Sequence, residues 1–408
     1  MFLEILLSAL LGFSLGLIAG LVPGIHPNTV MVVVGSSAIL SGTASTDCVL
    51  AFVASLSVTN SIVNFIPSVL TGAPESDTCL SVLPAHRFLM SGRGYEALYL
   101  TVAGGFFVTL LTVVSLPFLL WAVPGIYSLI SGYMHWLLIA VLLVLLFNTR
   151  SRRALSLFVF LITGISGLLL LSSFHQETVL FPSLTGLFAV PVLALSAGTF
   201  SFPKQKIRTP KNISMKGGFS GWLSGIFVGM LPGLGSAQAA VLSNSIVRGN
   251  ERDFMMSMGG INTSNVMFSF IMMFTLSKTR TGAAAFISGI SGAIDIYGLS
   301  LLMAVSVLSC MLAAVFTLYA GRLFTRNIHR VNYRKMNFTI VAFLVVITFI
   351  ITGIYGLLIM VLCSLIGVCS SYMGVKRMYM MGFLMLPTII YFSGLGDAAS
   401  LFSLLIPI

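Results

Sequence analysis

The chain has 408 residues, of which 57% are hydrophobic and only 8% charged, whereas soluble domains carry about 25% charged side chains. That composition excludes a soluble enzyme and specifies an integral membrane protein, because no polar stretch is long enough to fold a separate catalytic domain. The net charge of +11 does not point to nucleic acid, since Lys and Arg fall in short segments between apolar runs, as cytoplasmic loops do under the positive-inside rule.

Taken in chain order, apolar runs cover residues 5–21, 28–41, 48–66, 96–122, 125–147, 154–172, 186–200, 219–231, 236–247, 254–276, 282–320, 338–371 and 378–406. The 282–320 and 338–371 runs are each long enough for two crossings of ~20 residues. The first run carries Glu4 and no Lys or Arg ahead of it, unlike a secretory signal peptide, and is expected to stay on the mature protein. The basic segments Arg150 to Arg153, Lys204 to Lys216, Arg322 to Lys335 and Lys376 to Arg377 are mostly separated by even numbers of passes. One orientation therefore places them all in the cytoplasm of a multi-pass cell-membrane protein. Cys48, Cys79, Cys310, Cys363 and Cys369 form no CxxC pair, so neither a disulfide framework nor a zinc site is expected.

A repeat is visible by eye. LGLIAGLVPGIHPNTVMVVVGSS, from Leu15, resembles LSGIFVGMLPGLGSAQAAVLSNS, from Leu223. Each reads as an apolar helix rich in small residues, then Pro23-Gly24 or Pro232-Gly233, then polar residues opening another apolar helix. Downstream in each half lies an Asn/Ser patch, NSIVN from Asn60 and INTSN from Ile261. Matched, Gly/Pro-interrupted short segments in two halves are the best sequence pointer to a secondary transporter's binding site. Backbone groups freed by a break within the membrane survive only where they line a cavity or meet a ligand. The halves are expected at 1–203 and 219–408, joined by a basic cytoplasmic linker at 204–218. The first half has no Lys or Arg before Arg87, whereas basic residues flank the second Pro-Gly pair, and this difference suggests that the two repeats are inverted.

GLVPGIHPNT (Gly20 to Thr29), NSIVNFIPSVLTGAPESDTCLSVLPAHRFLMSGRGYEAL (Asn60 to Leu98) and GIFVGMLPGLGSAQAA (Gly225 to Ala240), followed by INTSN, together resemble the large permease subunit of the tripartite tricarboxylate transporters, the TctA family. The resemblance implies an inverted-repeat transporter that moves carboxylates inward on an ion gradient. It also implies a periplasmic substrate-binding protein and a small membrane subunit as partners. The second half departs from the family pattern by reading GGINTSN with no acidic residue ahead of the asparagines.

Residue by residue, His26 could bind an anion or titrate near neutral pH, or bond carbonyls freed at the break. Asn28, Thr29, Gly235, Ser236 and Gln238 are neutral donors at the half-helix starts, suited to a carboxylate and equally to helix capping. Asn60, Ser61, Asn64, Asn262, Thr263, Ser264 and Asn265 are costly in lipid, so they face a cavity or bond between helices. Glu75 and Asp77 in TGAPESDT are the candidates for coupling to a cation or proton, with a loop cap as the plain alternative.

The expected fold is thus an all-α integral membrane bundle of about ten to twelve segments, some partial, with two inverted repeats and broken or re-entrant helices. The expected function is secondary-active transport of a small organic anion of the carboxylate class. No cofactor is expected beyond Na+ or H+ as coupling ion, and the partners are the lipid bilayer, the two accessory subunits and a second copy in a homodimer. Two alternatives use other residues. Arg87 and Arg93 would suit the headgroup of a lipid-linked phosphate in a flippase. SGLGD, ending at Asp397, matches a pattern of intramembrane aspartyl proteases, which need a second aspartate; Asp295 alone lies near an apolar helix.

Overall fold

The computed structural model describes residues 2–22, 27–35, 45–70, 82–147, 149, 152–174, 176–195, 203–210, 213, 215–231, 233–247, 249–330 and 332–394, and no strand occurs among them. The first half contributes α1 (Phe2–Leu21), α2 (Pro27–Val30, prolonged by a π-helical turn Met31–Gly35), α3 (Thr46–Leu70) and α4 (Val82–Met90). It continues with α5 (Gly94–Val114), α6 (Leu116–Ser131), α7 (Met134–Phe147), α8 (Arg153–Ser173) and α9 (Thr178–Leu195). The second half contributes α10 (Met215–Met230), α11 (Ser236–Val247), α12 (Glu251–Leu276), α13 (Gly282–Ser291), α14 (Ile296–Asn327), α15 (Tyr333–Tyr372) and α16 (Arg377–Phe392). Because α10 begins at Met215, the end of the expected linker is already helical.

Seven of the described helices are long and apolar enough to cross a membrane, and α6 with α7 adds a pair bent by 86°. Helix α12 is long enough but too polar to count among them, because Asn262, Thr263, Ser264 and Asn265 sit at its centre. It is buried there instead, and so is α3 from Cys48 to Leu70. Lipid takes the place of protein around the rim: Phe118, Trp121, Phe147, Phe349 and Ile350 are all exposed, as apolar side chains facing hydrocarbon are. Helix starts follow capping chemistry. Asn250 accepts from the amides of Arg252 and Asp253, and Asp253 accepts from the Asn250 amide, a complete capping box for α12.

The run at 338–371 doubles back. Within α15, Gly353 has φ 65 and ψ −158, and Thr348 Oγ1 donates to Met360 Sδ at 3.4 Å. Twelve residues of straight helix would separate those atoms by about 18 Å, so the two arms of α15 are antiparallel and both of its ends lie at one end of the bundle. The run at 282–320 divides between α13 and α14.

In lipid, helix association depends on close backbone approach rather than on the hydrophobic effect. Glycine stripes provide that approach, and they also reveal the sense of each helix. In α1, Gly12 lies on Phe52 and Ser55, Gly16 on Leu56 and Thr59, and Gly20 on Val63, so α1 and α3 are parallel. In α10, Gly221 lies on Ser257 and Gly260, Gly225 on Ser264 and Gly229 on Phe268, so α10 and α12 are parallel as well. Gly16 on Thr59 and Gly225 on Ser264 occupy the same step of the two stripes, and the next residue on each polar helix is an asparagine, Asn60 and Asn265.

The halves exchange partners. Helix α5 runs parallel to α12: Glu96 pairs with Arg252 at 2.7 Å, Gly259 touches Thr101, and Gly105 touches Thr263. Helix α3 runs parallel to α14, with Leu50 beside Gly298 and the Ser309 hydroxyl donating to Ser55 at 2.9 Å. Helices α5 and α14 are antiparallel, because Leu98 meets Gly321 and the Arg322 guanidinium stands 5.7 Å over the Tyr95 ring, while Cys310 reaches Thr109. It follows that α1 and α10 cross the bundle in opposite senses.

The basic segments gather at one end. Arg87 pairs with Glu251 at 2.6 Å, Arg252 with Glu96, the Lys206 amide donates to the Gly92 carbonyl, and Arg152 donates to the Met373 carbonyl. Gln205 ties the linker down by donating to Leu89 O at 2.9 Å and accepting from Gly94 N–H at 3.0 Å.

Candidate functional site

Both small-residue helices end just ahead of a Pro-Gly pair: α1, at 20 residues, is long enough to cross a membrane, whereas α10, at 16, is not. Helix α1 ends at Leu21 and the next described helix opens at Pro27. Helix α10 ends at Met230 and α11 opens at Ser236, with Gly233 between them at φ 74. That left-handed conformation suits glycine alone among common residues at low cost, and Gly233 rests against Thr388 and Leu384 of α16. Helix α11 then runs back along α10, with the Ser243 and Ser220 hydroxyls bonded. The expected half-helix at Asn28 runs as a four-residue α-helical turn, Pro27–Val30, that continues into the π-helical turn Met31–Gly35.

The two Asn/Ser patches meet where α3 crosses α12. Asn262 Nδ2 donates to the Ser61 carbonyl at 2.8 Å and to Asn64 Oδ1 at 3.3 Å, and the Ser61 hydroxyl donates to Thr263 Oγ1 at 3.4 Å. Ser61 also donates to Val58 O, Thr263 to Gly259 O and Ser264 to Ile261 O, which satisfies hydroxyls within their own helices. Four of the patch residues are therefore spent on a helix crossing. Asn60 differs: it is 6% exposed, and among the described residues its Oδ1 has no hydrogen-bond partner, nor has the hydroxyl of neighbouring Thr59. Asn265 is half-buried at the corresponding step of α12.

A second meeting point joins the halves through the segment after α12. Asn28 packs its side chain on Gly282, the Ser269 and Thr281 hydroxyls bond at 2.6 Å, and Gly35 lies on Phe286 of α13. Met31 reaches back to α3, accepting from the Ser57 hydroxyl at 3.9 Å. Arg280 in the same segment donates from Nε to Gly229 O and from Nη2 to Val228 O, both at 3.0 Å. These carbonyls belong to the last turn of α10. Arg280, Thr281, Gly282 and Ser269 were not among the sequence candidates. The signal that could have found Arg280 is Pro232, which has no N–H and so leaves a carbonyl four residues earlier in need of a donor.

The start of α11 stands apart. Gly235 N–H donates to Gln238 Oε1 at 2.7 Å, closing the first turn as a cap does, while the fully buried Ser236 hydroxyl has no partner among the described residues. No hydrogen bond among the described residues joins Gly235, Ser236 or Gln238 to the α3 and α12 crossing. Pro23, Gly24, His26, Glu75, Asp77, Pro232 and Asp397 lie outside the described residues, as does the side chain of Thr29.

The residues of the alternative readings have other partners. Arg87 is exposed and paired with Glu251, and Arg93 lies 3.9 Å from the buried carboxylate of Glu96. Asp295 caps α14 by accepting from Gly298 N–H at 2.8 Å. The described cysteines are all free, and no cluster of His, Cys, Asp or Glu with the makings of a metal site occurs among the described residues.

No solved structure matches the chain. The chain is similar to an uncharacterized protein of Methanocaldococcus jannaschii, with 28% identity over 401 residues, 95% of this chain and 98% of that one. The sequence profile of the tripartite tricarboxylate transporter TctA family matches residues 6–382. With more than half its length matched and a polytopic all-α bundle, this chain belongs to the tripartite tricarboxylate transporter TctA family.

Proposed function

We propose that the protein is a secondary-active carrier of small carboxylates, built from inverted repeats at 1–203 and 219–408 around the basic linker 204–218. The observation that carries this reading is the opposed sense of α1 and α10, each ending in a break, with Asn28 of one half resting on Gly282 of the other. A pseudo-two-fold axis in the membrane plane accounts for the opposed senses and for the exchanged pairs, α3 with α14 and α5 with α12. The family's partners, a substrate-binding protein and a small membrane subunit, would deliver the anion.

Sodium fits the described residues better than a proton as the coupling ion. Neutral oxygens suffice for Na+, and Asn60 Oδ1 and Thr59 Oγ1 are buried acceptors without a donor. A proton needs a titratable group, and the described acids at the basic end have partners of their own: Glu251 pairs with Arg87, Glu96 with Arg252, and one oxygen of Asp253 accepts from the Asn250 amide. Proteoliposomes loaded without sodium should take up radiolabelled citrate or succinate when Na+ is added outside. Uptake that follows a pH gradient and ignores sodium would reverse this assignment.

The basic end faces the cytoplasm on this reading. In a protein whose exposed Cys369 is changed to Ser, Thr279→Cys should react with a membrane-impermeant maleimide in intact cells. Ser91→Cys should react only after lysis, and the opposite pattern would turn the whole bundle over.

The lipid-phosphate reading loses support because Arg87 and Arg93 are occupied by Glu251 and Glu96. The protease reading loses support because Asp295 is committed to a helix cap.

A further inference from the structure

Among the described residues every Lys and Arg lies at the basic end of the bundle except Lys278 and Arg280, which follow α12 at the other. Lys278 is exposed and stands with Nζ 5.1 Å from the centroid of the Tyr127 ring. Arg280 is drawn inward and half-buried, with Nε and Nη2 on the carbonyls of Gly229 and Val228.

The demand for those donors is written into α10. The Leu231 amide satisfies the Phe227 carbonyl at 2.9 Å. Four residues beyond Val228 stands Pro232, which has no N–H, and four beyond Gly229 stands Gly233, already out of the helix at φ 74. Two carbonyls are thus left for an outside donor. A neutral amide would serve; a guanidinium also brings a charge and five N–H donors, of which these bonds use two. No carboxylate among the described residues lies within ion-pair distance of it. A partly desolvated cation with no counter-ion among the described residues is costly, and an anion arriving beside it removes that cost. The position is also central: Gly282, two residues on, carries Asn28 of the other half.

We propose that Arg280 is the fixed positive charge that receives a carboxylate of the substrate at the broken end of α10, through the donors not spent on Val228 and Gly229. This rests on the carboxylate reading above and adds the residue that selects for charge. Because one guanidinium holds both the substrate and the end of α10, occupancy of the site is coupled to the position of the broken helix.

The test uses the full chain purified in detergent, with citrate and succinate as probes in sodium buffer. Citrate should raise the melting temperature of the wild type. Arg280→Gln, which keeps an amide donor for the α10 carbonyls but no charge, should weaken the apparent affinity at least tenfold. Arg280→Lys should stay within about fivefold of wild type, because it keeps the charge. Equal binding by Arg280→Gln and wild type overturns the assignment. So does equal loss in both variants with a lowered melting temperature before ligand is added, because that is the result of a cap alone. A measurement on unaltered protein guards against misfolded variants: citrate should protect Arg280 from phenylglyoxal, read by mass spectrometry, and leave exposed Arg87 and Arg326 unprotected. An Arg280 that the reagent cannot reach even without citrate is out of reach of a carboxylate too, and would likewise overturn it. A wild type that responds to no carboxylate would refute the carrier reading itself, whereas a responsive wild type with an equally responsive Arg280→Gln removes Arg280 alone.

Discussion

Gly104→Val should yield no folded protein in detergent, and Gly259→Val should do the same. A Cβ at Gly104 would fall on the carbonyl of Met256, and one at Gly259 on the carbonyl of Thr101. Both obstacles are backbone, so no rotamer change relieves them, and the cost sits at or above the top of the ~1–3 kcal/mol typical of overpacking. The two sites lie on the same crossing of α5 and α12, so the whole exchanged pair must separate to accept either side chain. Gly289→Ala, whose Cβ would meet nothing within 4 Å, is the control and should keep or slightly raise the melting temperature. Size-exclusion profiles of the three variants decide the matter, and a monodisperse Gly104→Val would show that the helices part more easily than their contacts indicate.

The second large effect separates two asparagines that the sequence makes look alike. Asn60→Leu should abolish sodium-dependent citrate binding, a loss of at least tenfold or about 1.4 kcal/mol, with the melting temperature unchanged or raised. The reason is that it removes a buried acceptor that bonds to nothing among the described residues. Asn262→Leu should act the other way, lowering the melting temperature by removing the donor to Ser61 O and Asn64 Oδ1. An interhelical hydrogen bond in a membrane is worth ~0.6 kcal/mol on average, so the shift should be measurable and small. Thermal melts with and without citrate separate the two outcomes. An Asn60→Leu protein that binds normally would return Asn60 to the class of packing residues.

This contrast shows where sequence reasoning stops. NSIVN and INTSN announce that polar groups are buried in an apolar setting, but which amide bonds a helix and which is left over depends on the rotation of α3 against α12. Each stripe, Gly12, Gly16 and Gly20 or Gly221, Gly225 and Gly229, is legible at a four-residue spacing, and so is the Pro-Gly pair that follows each. The partners of the stripes are not, because Thr59 and Ser264 lie far along the chain from them. The reversal in α15 was legible only as excess length, since Gly353 looks like any other glycine in a run that contains several. Arg280 is not legible in this way, because its role depends on an acceptor about fifty residues earlier.

The exchange of partners between the halves also constrains how the protein is made. Helix α3 leaves the ribosome early, but α12 and α14, which cover its polar face, follow roughly 200 residues later. At about 5–20 residues per second that delay lasts about 10 to 40 s, during which Thr59, Asn60, Ser61 and Asn64 have none of their second-half neighbours. Insertion of this chain therefore passes through a half-built bundle in which the polar face of α3 waits for its second-half partners. Slowed translation between α9 and α12 lengthens the interval in which proteases of the membrane can remove it.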